Sequence, residues 1–205
     1  RGRATRIAVM QAALSVLAER ALDDIQVSQI ADRAGMSAPH VLYYFPSKTE
    51  VLNETLFWAE QQIADRRARD LARLTTPQRR LARLVALYLP AGANDPLWKL
   101  WMGLWLRSDA SAGSEAVARE IHGRWHADFT EVVRDGIGSG AFAAVDADEF
   151  FDDLDAYLIG LAVHVLVGHR SRTSALRAAL TRCAADLGFD ESLVLVELRS
   201  RVRRT

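Results

Sequence analysis

Residues 30–52 read Ile30-Ala31-Asp32-Arg33-Ala34-Gly35-Met36-Ser37-Ala38-Pro39-His40-Val41-Leu42-Tyr43-Tyr44-Phe45-Pro46-Ser47-Lys48-Thr49-Glu50-Val51-Leu52, and this stretch decides the fold. Val27, Ile30, Ala31 and Ala34 recur at helical spacing and end at Gly35, a residue type that takes the left-handed conformation with which helices stop. Ser37 then offers an N-cap, and Pro39 falls in the first turn, where its missing N–H costs nothing. The helix so begun is short, because Tyr44, Phe45 and Pro46 close it. Ser47 caps the next one. Two short helices joined by a tight turn behind a longer first helix make a helix-turn-helix, whose last helix enters the DNA major groove while the others supply a small core and backbone contacts. On that logic Ser37, Ala38, Pro39, His40 and Tyr43 present side chains or backbone to DNA, while Leu42 and Phe45 hold the helix on its scaffold.

Outward from this stretch the spacing stays helical. Ile7, Met10, Leu14 and Leu17 share one face of a first helix from about Thr5 to Arg20. Further helices are expected from Ser47 to about Leu74, from Pro77 to Leu89, and over 97–106, 114–137, 147–167, 173–187 and 191–203. Gly136, Gly138 and Gly140 mark the flexible connection. No window alternates with period two, so the fold class is all-α. The organisation expected is a DNA-binding domain over residues 1–46 and a helical ligand-binding and dimerisation domain over 47–205.

Half of the 205 residues are apolar and a quarter charged, a globular composition, and 26 basic residues balance 26 acidic ones. The balance hides a segregation. Between residues 61 and 90 seven arginines face two aspartates, whereas between 111 and 170 four arginines face eleven acids. Cys183 is the one cysteine, so no intrachain disulfide forms. With no leader-like start and no apolar run near 20 residues, a cytoplasmic protein without membrane association is expected.

The quoted stretch resembles the signature of the tetracycline-repressor (TetR) family of bacterial regulators: an Ile-Ala pair, an Ala-Gly-hydrophobic-Ser turn, Tyr-Tyr before the closing Phe, and Ser-Lys opening the fourth helix. With Ala12-Ala13-Leu14 upstream, the likeness covers about residues 6–56. It implies that Lys48 contacts a phosphate, that one of Tyr43 and Tyr44 contacts the backbone while the other packs, and that Ser37 caps the helix or touches phosphate. Pro39 and His40 occupy variable positions and become the candidates for reading bases. Two departures stand out: Ala21 where glycine usually follows helix one, and Ile25-Gln26 where a hydroxyl usually caps helix two. The stretch from Trp98 to Gly168 is similar, more loosely, to the ligand-binding half of regulators of the choline-responsive, BetI-like branch.

The resemblance also implies a homodimer on a palindromic, double-stranded operator. The sequence adds its own support, since Ala156, Gly160, Val163 and Val167 form a narrow stripe of small side chains, and Ala175, Ala179 and Cys183 give the following helix a similar face. For an unknown small-molecule effector, the candidate lining residues are Trp98, Trp101 and Trp105 on one helix, His122, Trp125, His126 and Phe129 on the next, and Tyr157, Leu161 and His164 across from them. Such rings suit a flat or cationic organic ligand, with Asp153 or Glu120 as counter-charge. Aromatic stripes at this spacing serve equally as core, and both readings stand. His122 and His126 have the i, i+4 spacing of metal ligands but no evident third ligand, so no metal, cofactor or catalytic residue is expected. The function expected is a ligand-responsive repressor; the alternatives are a regulator without a small-molecule ligand and a helical, metal-assisted enzyme using His122 and His126.

Overall fold

The computed structural model describes residues 2–106 and 112–195. Their helices, in chain order, are α1 (Gly2–Glu19), α2 (Val27–Arg33), α3 (Ala38–Tyr44), α4 (Lys48–Leu71), α5 (Pro77–Tyr88), α6 (Pro96–Trp105), α7 (Ala112–Gly138), α8 (Ala147–Leu166) and α9 (Arg172–Leu187). Of the helix expected over 191–203, the part beyond Leu195 lies outside the described residues. Among the described residues no helix is long and apolar enough to cross a membrane.

Most boundaries follow from local chemistry. Ser37, Thr76, Asp95, Asp146 and Ser171 each accept a hydrogen bond from a backbone N–H in the first turn of α3, α5, α6, α8 and α9, and Pro77 and Pro96 start α5 and α6. Gly35, the residue after the Ala34 cap of α2, and Gly188, the cap of α9, take positive φ, 68° and 67°. Gly136 behaves otherwise than expected of a flexible connection. It lies within α7, its carbonyl accepts from the N–H groups of Ala141 and Phe142, and a Cβ there would stand 2.0 Å from the Phe142 ring. It is a packing glycine where the chain folds back at the end of α7.

The helices gather into two compact units, one made of the residues up to Gln62 with Asn94–Ile121, the other of Ile63–Ala93 with the residues from His122 onward. The division falls inside α4 and α7. In the first unit α1 packs on α2 and α6, and α2 on α3, around Val9, Ala13, Leu17, Ile30, Val41, Phe45 and Leu100. In the second, α9 packs on α8 and α5 around Leu81, Leu84, Phe129, Phe151, Leu158 and Leu180.

That packing corrects the face assigned to α9. Ala175, Ala179 and Cys183 are fully buried inside the chain, so their small size lets α9 settle against its own neighbours and leaves nothing for a second subunit. The outward stripe of α9 is Ser174, Ala178, Thr181 and Ala185. On α8 the expected stripe does face out: Ala156 and Gly160 are exposed, as are Val163 and Val167, and a Cβ at Gly160 would meet nothing. Burial pushes the Cys183 thiol up to about 12, so at pH 8 it is both protonated and shielded. A thiol reagent such as dithiobisnitrobenzoate is therefore expected to leave the native protein unlabelled at pH 8 and to label one cysteine per chain only after denaturation, as read by absorbance at the released thiolate.

Candidate functional site

Helix α3 has only seven residues, too few to hold its shape by propensity alone. Its conformation comes from both ends and one face. The Ser37 Oγ accepts from the His40 N–H at 3.3 Å, and Val41 and Phe45, one turn apart, are fully buried. Each such burial contributes about 1.5–3 kcal/mol. Leu42, expected to share this anchoring, is 43% exposed instead, because it lies one residue round the helix from Val41 and faces away from the core. Ser37, Pro39 and His40 are exposed, Ala38 and Tyr44 half-buried, and Tyr43 is 82% exposed, standing edge-on to Tyr44 with ring centroids 5.2 Å apart. Tyr44, which His40 also meets edge-on at 5.4 Å, is the packed member of the pair.

Lys48 is the first residue of α4, next to Ser47, whose Oγ accepts from the Glu50 N–H at 3.1 Å. Its ammonium reaches the Asp23 carbonyl at 3.4 Å, which holds the cation beside the open N-terminal amides of α4. Arg6 belongs to none of the sequence motifs. Here its Nη1 donates to the Tyr44 carbonyl at 3.0 Å, its Nη2 pairs with Glu54, and the guanidinium lies 4.7 Å from the Phe45 ring centroid. One side chain thus ties α1 to the C-terminal end of α3 and to α4, with the positive charge at the end of α3 that its dipole favours.

Both sequence departures have local compensations. Where a hydroxyl cap is missing from α2, the Gln29 side chain accepts from the Gln26 N–H at 2.9 Å. Where α1 ends without glycine, Lys99 of α6 donates to the Leu17 carbonyl at 2.8 Å, satisfying one of the carbonyls a helix end leaves open. Arg33 of α2 clasps Glu19 of α1 with both nitrogens, at 3.0 and 2.7 Å. Those hydrogen bonds first, and the charge second, hold Glu19 below the usual carboxylate range.

The aromatic candidates divide between the units. In the first, Trp98, Trp101 and Trp105 form a ladder along α6, with successive ring centroids 6.1 and 5.0 Å apart. In the second, Trp125 and Phe129 are buried with Tyr88 and Phe151, two rings the sequence reading left out; Tyr88 meets Trp125 edge-on at 5.0 Å, and Phe129 lies 5.5 Å from Phe151. His122 and His126 both stand edge-on to Phe151, but each Nε2 turns to its own carboxylate, His122 to Asp155 at 3.5 Å and His126 to Asp148 at 3.1 Å. Asp155 also accepts from the Tyr88 hydroxyl, so it is this carboxylate, and not the exposed Asp153, that faces the ring cluster. Leu161 is buried and Tyr157 half-buried, while His164 is exposed near the end of α8, beside His169 and away from the rings. That corrects its place among the lining residues.

Residues 9–55 match the family model described as bacterial regulatory proteins, tetR family, and residues 77–188 match the one described as BetI-type transcriptional repressor, C-terminal. The chain belongs to the TetR family. The HTH-type transcriptional regulator BetI of Cronobacter sakazakii is 30% identical over 103 residues, which cover 49% of this chain and 51% of that protein, so the match spans about half of the relative's length. A Saccharomonospora viridis protein described as a transcriptional regulator, solved in complex with choline, shares 28% identity with a TM-score of 0.80, over 87% of this chain and 94% of that one. A TetR transcription regulator of Haloarcula marismortui shares the fold at 22% identity and a TM-score of 0.79, over 91% and 97% of the two chains.

Within this TetR frame the first matched stretch ends inside α4 and the second starts at the first residue of α5. Arg6 lies three residues before the first matched residue, and its signal in the sequence is faint: a basic residue directly before Ile7, which opens the apolar stripe of α1. Replacing Arg6 by Met removes the ion pair and the cap on α3 together. Because the side chain is about a third exposed, screening trims the loss to about 1 kcal/mol, seen as a small fall in the thermal midpoint by circular dichroism.

Proposed function

We propose that this TetR-family chain is a DNA-binding transcriptional repressor that works as a cytoplasmic homodimer on a palindromic operator and is released by a small-molecule effector. The observation that carries the reading is Tyr43, a large aromatic side chain 82% exposed on a capped, rigidly anchored α3, with Lys48 at the first turn of the next helix. An exposed phenol and a helix-terminal cation on adjoining elements suit backbone phosphates on either side of a groove. Ser37, Ala38, Pro39 and His40 then lie against base edges or sugar, Tyr44 packs, and residues 1–46 are the reading module, with effector and dimer functions in 47–205.

The effector reading rests on the BetI-type C-terminal match and on the choline complex of the Saccharomonospora viridis protein. In this chain the Trp125 ring, clustered with Phe129 and Tyr88, lies against Arg67 of α4, the helix that opens at Lys48, so a ligand at that cluster acts on α4, while the Trp98, Trp101 and Trp105 ladder on α6 packs on α1, to which α6 bonds through Lys99. Displacing α1 or α4 alters the spacing of the two reading helices in a dimer, and half-sites about 34 Å apart tolerate little change. For the dimer seam we assign Ala156, Gly160, Val163 and Val167 of α8 with Ser174, Ala178, Thr181 and Ala185 of α9, small residues that permit close helix approach.

Fluorescence anisotropy on the chain's own promoter DNA tests the first claim. Lys48→Ala and Tyr43→Ala combined are expected to weaken binding about tenfold to a hundredfold, the worth of one or two phosphate hydrogen bonds, and Lys48→Ala alone to reduce the salt slope by about one. Binding unchanged in the double variant overturns the assignment of these residues. For the seam, Gly160→Glu with Val163→Glu is expected to give a monomer by light scattering with the helical spectrum intact, since neither position is needed for packing within the chain. A dimer that survives both changes places the seam elsewhere.

A further inference from the structure

Among the described residues Arg67 is the one charged side chain that is buried, with 2% of its surface exposed. It sits in α4 against the aromatic cluster of the second unit. Its Nε donates to Asp128, its guanidinium carbon lies 3.9 Å from the centroid of the Trp125 ring, and its Nη1 is buried with no hydrogen-bond partner. A buried guanidinium gains its place in a protein only when paired and hydrogen-bonded, and an orphaned N–H on a charged group is the expensive case. Asp128 neutralises the charge from one edge of the fork and leaves the donor at Nη1 unmet. The five-donor fork accommodates a second oxyanion beside the first.

The same geometry bears on what else the rings can take. A quaternary ammonium binds by stacking on the face of an indole, and on Trp125 a guanidinium already occupies such a position. A cationic ligand there meets a fixed positive charge, whereas an anion meets an unpaired donor. Around it Tyr88 lies 5.0 Å and Phe129 6.2 Å from Trp125, an apolar and aromatic surround.

Resting on the effector-binding reading above, we propose that this chain's effector is a small organic carboxylate whose oxygen accepts from Arg67 Nη1, with its apolar body beside Trp125. Arg67 is then the specificity residue that turns a ring cluster suited to cations toward anions.

Isothermal titration of the full chain with benzoate, phenylacetate and hexanoate, set against benzyl alcohol as a neutral counterpart and choline as a cation, tests this. At least one of the three carboxylates is expected to bind tenfold or more tighter than both benzyl alcohol and choline. Arg67→Lys, which keeps the charge and loses the fork, weakens that binding, and Arg67→Met removes the preference. If Arg67→Met fails to fold, the paired variant Arg67→Met with Asp128→Asn, which leaves no buried charge uncompensated, is expected to fold and to show the same loss. No carboxylate preference in the wild type, a preference that survives in the paired variant, or tighter binding of choline overturns the proposal. Anisotropy on promoter DNA separates it from the reading it rests on. A carboxylate that binds through Arg67 without releasing DNA upholds the site and overturns effector-driven release. Choline releasing DNA while the carboxylates stay inert does the reverse.

Discussion

A seven-residue helix has to be held by what surrounds it, and the architecture of the first unit follows from that need. Val41 and Phe45 bury one face of α3, Ser37 closes its start, and Arg6 reaches from α1 to the carbonyl of Tyr44 at its end. Nucleating an isolated helix of this length is unfavourable, so each of these contacts offsets an ordering cost that local propensity does not meet. What remains is a surface with little freedom to rearrange. Tyr43 stands out from it because, two residues from both Val41 and Phe45, it lies on the side of the helix opposite the buried face.

The charge balance of the chain takes on meaning only when placed. Three of the seven arginines in the 61–90 segment, which by count alone suggest a polyanion surface, form ion pairs inside the second unit, Arg67 with Asp128, Arg80 with Asp135 and Arg83 with Asp70, while Arg66, Arg69, Arg73 and Arg79 are exposed. Acids from 111–170 supply two of those partners. Part of the segregation along the chain is therefore a complementarity in space, and a count of charges by segment does not give the charge a surface presents.

Small residues illustrate how far a pattern reaches. On α9 two stripes of small side chains run in parallel, Ala175-Ala179-Cys183 and Ser174-Ala178-Thr181-Ala185. The first has the more apolar composition and is the one the chain buries for itself, against α8 and α5. Close packing rewards whichever small face meets a partner helix first, and within one chain that partner is always present.

The residues alone determined the helix-turn-helix, the all-α class, most helix limits and the TetR family, because each rests on short-range rules: apolar spacing of 3.6, a hydroxyl or carboxylate at the N-cap, proline in the first turn, glycine after the end. They also marked Tyr43, Lys48 and the α8 stripe. Only the tertiary structure decided that Val41 and not Leu42 anchors α3, that Asp155 and not Asp153 faces the rings, that His164 points away from them, and that Arg6, Lys99 and Arg67 matter at all. Each of those turns on which residues distant in sequence arrive at the same place, and long-range contacts leave no trace in local periodicity. A charged side chain in a sequence looks solvated until the fold shows what has closed over it.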